Sequence, residues 1–461
     1  MNRRELDSIP VETLRDWDRL HLWHPFANQA EWDREDPLVI DRGEGVYLYD
    51  RLGNRFLDGV SSLWCNVHGH RRGELDRAIV DQLASIAHST LLGITHPTAI
   101  ALAKRLVELA PEGLTRVFFS DDGATAIEVA LKMAFQYWRQ IAEPEPKRTK
   151  YLALTNAYHG DTLGAVGVGG VERFHATFGP LLLETLRAPA PYCYRCPLSL
   201  EHPGCAIACL NDVDRSLAAH EGEVAAVVVE PLVQGAAGMI VHPPGYLSGI
   251  TALCKKYNVL LIADEVAVGF GRTGTLFACE VEGVSPDFLC VAKGITGGYL
   301  PLAATLTTER VRSAFVGDAI NPKIFYHGHT YSGNPLAAAV ALANLDLFES
   351  DRTLEKLNTK IDRLAAGLVS FSRLEHVGEV RRRGLIAGIE LVAEKATKKP
   401  FPATDRVGAR VCLAARKRGV LLRPLGDVIV IMPPLAIELD QIDELVAVVR
   451  DSIVEITQSI N

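Results

Sequence analysis

Five short apolar runs, each closed by a polar residue, constrain this chain more than any other feature. They are Arg116-Val-Phe-Phe-Ser120, Lys150-Tyr-Leu-Ala-Leu-Thr155, Ala225-Ala-Val-Val-Val-Glu230, Val259-Leu-Leu-Ile-Ala-Asp264 and Asp287-Phe-Leu-Cys-Val-Ala-Lys293. Runs this short and this uniformly apolar read as strands buried on both faces. Longer stretches with helical periodicity lie between them, such as Thr125 to Gln140 and Pro244 to Tyr257. That alternation predicts an α/β fold with a mostly parallel sheet flanked by helices. Such sheets bind ligands beyond the carboxyl ends of their strands, so the closing polar residues are the first candidates for a site.

The two ends of the chain read differently. Gly45-Val-Tyr-Leu-Tyr-Asp50 and Asn54-Arg-Phe-Leu-Asp58 form a predicted hairpin around Arg51-Leu-Gly53. Beyond Asn334 a helix is expected from Pro335 to about Phe348, since proline suits the first helical position. An amphipathic helix follows from Asp351 to Phe371, then strands within Val377 to Leu391 and Val420 to Met432, and a closing helix from Asp440 to Gln458. The expected division is a large domain over 61–335 and a smaller α+β domain built from both ends, 1–60 and 336–461.

With 48% apolar and 23% charged residues, the composition is that of a globular enzyme. A net charge of −8 and no basic stripe argue against nucleic acid. Met1-Asn-Arg-Arg-Glu-Leu-Asp7 lacks the apolar core of a signal peptide, and no apolar run nears the roughly 20 residues of a membrane helix. Nine cysteines and no secretion signal point to a reducing cytoplasm. Four of them, Cys193, Cys196, Cys205 and Cys209, have a spacing compatible with zinc or an iron–sulfur cluster. It is equally that of a loop of reduced cysteines shaped by Pro197 and Pro203. Their place away from the catalytic strand ends favours the loop, so no metal is expected.

The strand ends together describe one chemistry. Ser120-Asp-Asp-Gly-Ala-Thr125 runs straight into a helix, so Gly123 and Ala124 present free N–H groups to a phosphate, assisted by the helix dipole. Tyr158 offers an aromatic face to a flat ring. Glu230 supplies a carboxylate. Asp264, buried under a pyridine ring, holds the ring nitrogen protonated. Lys293 follows an apolar run and precedes Gly294-Ile-Thr-Gly-Gly298. Burial disfavours its ammonium form and frees the amine for Schiff-base chemistry. Taken singly, each has a bland reading as a core tyrosine, a structural acid or a surface lysine. Their combination meets the needs of pyridoxal 5′-phosphate.

Leu261-Ile-Ala-Asp-Glu-Val-Ala-Val-Gly-Phe-Gly-Arg-Thr-Gly274 and Ala292-Lys293-Gly294, continuing to Gly298-Tyr-Leu-Pro301, make the chain resemble the class III aminotransferases of fold-type I over essentially its whole length. The resemblance implies that Lys293 carries the cofactor aldehyde, Asp264 pairs with the ring nitrogen and Tyr158 stacks on the ring. Gly123, Ala124 and Thr330 hold the phosphate. Thr330 comes from the partner subunit, within His327-Gly-His-Thr-Tyr-Ser-Gly-Asn-Pro335, which implies a homodimer with a shared site. Within the class, His21-Leu-Trp-His-Pro-Phe26, Ser61-Ser-Leu-Trp64, Val67-His-Gly-His70, Tyr158-His-Gly-Asp-Thr162 and Leu422-Arg-Pro-Leu-Gly426 resemble the diaminopelargonate synthases of biotin biosynthesis. That branch implies 8-amino-7-oxononanoate as acceptor, with Arg423 on its carboxylate and Trp64, Phe26 and Tyr158 along its methylenes. Asp161 faces its amino group, and Gly328 adjoins the substrate. S-adenosylmethionine is the donor by family frequency. Leu63-Trp64 and Phe26 stand where many users of that donor carry paired tryptophans and a tyrosine, which keeps lysine as the alternative donor. A broader ω-aminotransferase is the remaining alternative.

Overall fold

The computed structural model describes residues 2–460. Its centre is a seven-stranded sheet of β1 (Leu114–Ser120), β2 (Lys150–Leu154), β3 (Thr185–Ala188), β4 (Val224–Val229), β5 (Leu260–Asp264), β6 (Phe288–Val291) and β7 (Ala303–Thr308). Their spatial order is β1-β7-β6-β5-β4-β2-β3. Pairs β6–β5, β5–β4, β4–β2 and β2–β3 are parallel, while β7 runs antiparallel to both of its neighbours. The five expected strands are present, and the sheet is mostly parallel as expected.

Two strands are additions. β3 is short and carries an arginine, so it lacks the apolar signature. β7 reads Ala-Ala-Thr-Leu-Thr-Thr, yet it is buried nearly throughout. Its threonines enter the core because their hydroxyls are satisfied by backbone: Thr305 donates to the Ala126 carbonyl at 2.8 Å and Thr307 to that of Asp287 at 2.9 Å. β6 stops at Val291, and Lys293 opens a tight 3₁₀ turn, Lys293–Thr296, rather than ending the strand.

The helix α1 (Gly123–Gln140) lies on this sheet. Asp122 caps it by accepting the Thr125 N–H, which starts the helix two residues earlier than its periodicity suggests. Its buried face includes Ile127, Ala130, Leu131, Ala134 and Trp138, and the Trp138 indole donates to the Ala225 carbonyl on β4 at 2.9 Å. Truncating Trp138 would remove both packing and that bond, at a cost of about 3–5 kcal/mol.

The predicted hairpin pairs Tyr47–Asp50 with Arg55–Asp58, is extended by Ile40–Glu44, and is joined in parallel by Val420–Leu421 from the far end of the chain. A second small sheet contains Val377–Arg383, Ile386–Leu391, Val428–Ile431 and Pro424–Leu425. Helices Pro335–Ser350, Thr353–Leu368 and Leu439–Gln458 lie where the sequence places them. Among the described residues no helix is long and apolar enough to cross a membrane.

Candidate active site

A cavity of about 730 Å³ opens at the carboxyl ends of β1, β2, β4, β5 and β6. Lys293, Asp264, Tyr158, Asp161, Gly123, Ala124, Glu230 and Trp64 all line it. Residues that are far apart in the chain meet there because parallel strands end on one edge.

Lys293 projects into the cavity from a backbone with φ 47°, a left-handed conformation that non-glycine residues enter at a cost. Burial lowers its amine's pKa, against the opposing pull of the Asp264 carboxylate. Its Nζ stands 5.1 Å from the centre of the Trp64 ring. Asp264 is buried, its Oδ2 2.7 Å from His159 Nδ1 and its Oδ1 accepting the Val266 N–H at 3.0 Å. The other nitrogen of His159, Nε2, is buried and has no hydrogen-bond partner among the described residues. The sequence motif contains His159 without any local sign of a role; its position behind Asp264 comes from the approach of β2 to β5 across β4.

Glu230 is buried too, and burial pushes its carboxyl up to about 7. Its two oxygens accept N–H groups from Tyr158 at 3.0 Å and Gly235 at 2.9 Å, so it ties two cavity loops together. The Tyr158 hydroxyl donates to Asp161 Oδ2 at 2.8 Å. Burial, then that carboxylate, raises the phenol's pKa, so it stays protonated. At the start of α1, a Cβ on Gly123 would fall 2.5 Å from Val266 Cγ1. Glycine there lets the helix N-terminus close on the loop after β5. The buried Ser120 hydroxyl at the end of β1 has no hydrogen-bond partner among the described residues.

Trp64 reaches the cavity from an unusual turn. Ser61, Ser62, Leu63 and Trp64 have φ of 51°, 53°, 94° and 69°. No residue in it is glycine, and a left-handed helical backbone costs L-residues about 1–2 kcal/mol each.

Arg423 and Phe26 sit to one side of the cavity. The Arg423 guanidinium carbon is 5.9 Å from the Phe26 ring centre, and among the described residues the group makes no hydrogen bond or ion pair. Phe26 is exposed and does not line the cavity itself. It reaches Tyr158 through Phe174, with ring centres 5.5 Å and then 6.1 Å apart. Gly328 and Thr330 are exposed and do not line this cavity; the neighbouring His329 lies 3.3 Å from Asp121 at its rim. Cys193, Cys196, Cys205 and Cys209 are unbridged and border one small apolar pocket beside Pro243. Among the described residues no cluster of three or more His, Cys, Asp or Glu side chains is arranged to hold a metal ion.

An amine, a buried acid beside a histidine, an aromatic side chain and a helix N-terminus in one cavity are a fitting set for pyridoxal phosphate. The chain matches the family described as aminotransferase class-III over residues 28–453. This chain belongs to the class III aminotransferases. It is 56% identical over 448 residues to the adenosylmethionine-8-amino-7-oxononanoate aminotransferase of Geobacter sulfurreducens, covering 97% of this chain and 98% of that one. The crystal structure of the protein of that name from Methanocaldococcus jannaschii has a TM-score of 0.92 at 44% identity, covering 97% and 99% of the two chains. An (S)-enantioselective ω-transaminase from Thermomicrobium roseum has a TM-score of 0.93 at 38% identity over the same shares. As a class III aminotransferase the chain uses pyridoxal phosphate.

Proposed function

We propose that this aminotransferase converts 8-amino-7-oxononanoate to 7,8-diaminononanoate in biotin biosynthesis, with S-adenosylmethionine as amino donor. The names of the Geobacter and Methanocaldococcus relatives support the reaction and the donor. The fold does not separate it from an ω-transaminase. The observation that carries the reading is Arg423, a guanidinium that makes no hydrogen bond or ion pair among the described residues and lies over Phe26, at the start of an aromatic run that leads to Tyr158. It suits an acceptor with a long aliphatic chain and a carboxylate at its far end.

Bound pyridoxal phosphate supplies an aldehyde carbon with which amines condense, and a ring that takes up the electron pair left by a departing proton. Lys293 holds the aldehyde at rest. Its Nζ would serve as the base that takes a proton from the donor's α carbon, and the lowered pKa keeps a larger share of the amine neutral for this task. Asp264, fixed by His159 and the Val266 N–H, holds a proton at the ring nitrogen. The N-terminus of α1 takes the phosphate. Arg423 orients the acceptor by its carboxylate, and Trp64 walls the cavity beside Lys293. Asp161, its carboxylate turned to the Tyr158 hydroxyl, faces the acceptor's amino group.

The enzyme acts as a cytoplasmic homodimer whose sites are shared, Thr330 and Gly328 serving the partner's cavity. In support, both lie on an exposed segment bearing uncovered apolar side chains such as Tyr326, 81% exposed. The same reading takes 61–335 as the cofactor domain and both chain ends as the smaller one.

The test is Arg423→Ala in the holoenzyme. Losing charge-assisted hydrogen bonds worth about 2–3 kcal/mol should raise KM for 8-amino-7-oxononanoate by roughly 30- to 160-fold. The half-reaction with S-adenosylmethionine should change little. An unchanged KM removes Arg423 from the site, and a wild-type enzyme that aminates pyruvate but not the oxononanoate overturns the proposed reaction.

A further inference from the structure

The left-handed turn Ser61 to Trp64 is held from one buried carboxylate. Asp58, 1% exposed, closes the strand Arg55–Asp58. Its Oδ1 accepts the Ser62 N–H at 2.9 Å and its Oδ2 the Ser62 hydroxyl at 2.7 Å; His70 Nε2 is 3.2 Å from Oδ2. On the other side, the Ser61 hydroxyl donates to the Met432 carbonyl at 2.6 Å. Beyond the turn, the fully buried Arg272 donates to the carbonyls of Asn66 at 2.7 Å and Pro433 at 2.6 Å. Gly298, in the glycine pair after Lys293, has φ 86°, and a Cβ on it would stand 2.9 Å from the Cys65 carbonyl carbon. The segment is therefore clamped at both ends and pressed against the turn that bears Lys293.

All of this aims one side chain. Trp64 is 7% exposed, its ring faces Lys293, and its edge meets Gly235, where a Cβ would stand 3.3 Å from the indole. Strained backbone of this kind persists only where its surroundings over-determine it. We infer that Asp58 is a positioning residue for substrate binding: it holds the strained turn so that Trp64 forms the wall against which the aliphatic part of the acceptor lies. The acceptor's identity rests on the function proposed above; the hold of Asp58 on the turn does not.

The test is Asp58→Asn, with Ser62→Ala as a milder variant at an exposed position that removes only the hydroxyl bond. Two readouts separate positioning from general loss of structure. Cys65, half-buried just past the turn, reports its opening through its rate of alkylation by iodoacetamide, mapped by peptide mass spectrometry on the holoenzyme. In Asp58→Asn that rate should rise at least fivefold, and KM for 8-amino-7-oxononanoate at least tenfold. The donor half-reaction rate should stay within about threefold and the bound-cofactor absorbance unchanged, since Asp264 keeps His159 and the Val266 N–H. Ser62→Ala should shift alkylation and KM in the same direction by two- to fivefold. Unchanged Cys65 alkylation in both variants overturns the inference, as does a donor half-reaction that falls in step with the acceptor reaction. Faster alkylation in an enzyme whose wild type ignores the oxononanoate leaves the turn assignment standing and refutes the substrate instead.

Discussion

At the residue scale, burial sets the chemistry. Lys293 has its amine's pKa lowered by the same desolvation that raises Glu230 and Glu265 to about 7. Glu265 shows what this costs the fold. It is fully buried, and its oxygens accept the N–H groups of Ala278 at 2.6 Å and Cys279 at 2.7 Å. The folded protein keeps a proton that the unfolded chain, with an ordinary value of 4.5, gives up. Stability from that proton is complete below about pH 4.5 and lost as pH rises through about 7. The wild type should therefore lose stability relative to Glu265→Gln between pH 5 and pH 8, as read by denaturant unfolding of the holoenzyme. A difference independent of pH would contradict this. Lys293, Asp264, Tyr158 and Glu230 were legible in the sequence because each closes or follows an apolar run. His159 was not, because a histidine beside a tyrosine acquires meaning only when β2 and β5 bring it to Asp264.

At the scale of elements, the strands that the sequence displays are those whose side chains are apolar. β7 hides because its threonines satisfy their hydroxyls on neighbouring backbone, an arrangement that no single-strand pattern encodes. The Ser61–Trp64 turn hides for a related reason. Nothing in Ser-Ser-Leu-Trp requests positive φ, and the conformation is imposed by Asp58, Met432 and Arg272 from elsewhere in the chain. The strain predicts a reversed ranking at Leu63, whose φ is 94° and whose side chain is substantially exposed. Leu63→Gly should be more stable than Leu63→Ala by about 1 kcal/mol, although glycine ordinarily destabilises by raising the entropy of the unfolded chain. Urea unfolding of the two variants decides it, and an alanine variant of equal or greater stability would show the turn to be unstrained.

At the scale of the whole molecule, one chain holds Lys293, Asp264 and the N-terminus of α1 in a single cavity but leaves Thr330 and Gly328 outside it. The sequence implied this division only through family resemblance, since a surface threonine carries no local signal of a partner. The proposed shared site makes a sharp demand. Lys293→Ala and Thr330→Asp homodimers should each lose activity, whereas co-expressed hybrids should regain about half the wild-type activity per dimer, because one of two symmetric sites then has both native residues. Hybrids as inactive as their parents would mean that each chain builds its site alone. Beneath every scale lies the claim that Lys293 is the amine joined to the cofactor. Borohydride reduction of the holoenzyme, followed by peptide mapping, tests it most directly: the reduced phosphopyridoxyl group should be found on Lys293 alone, and a label on any other lysine, or on none, would contradict the account.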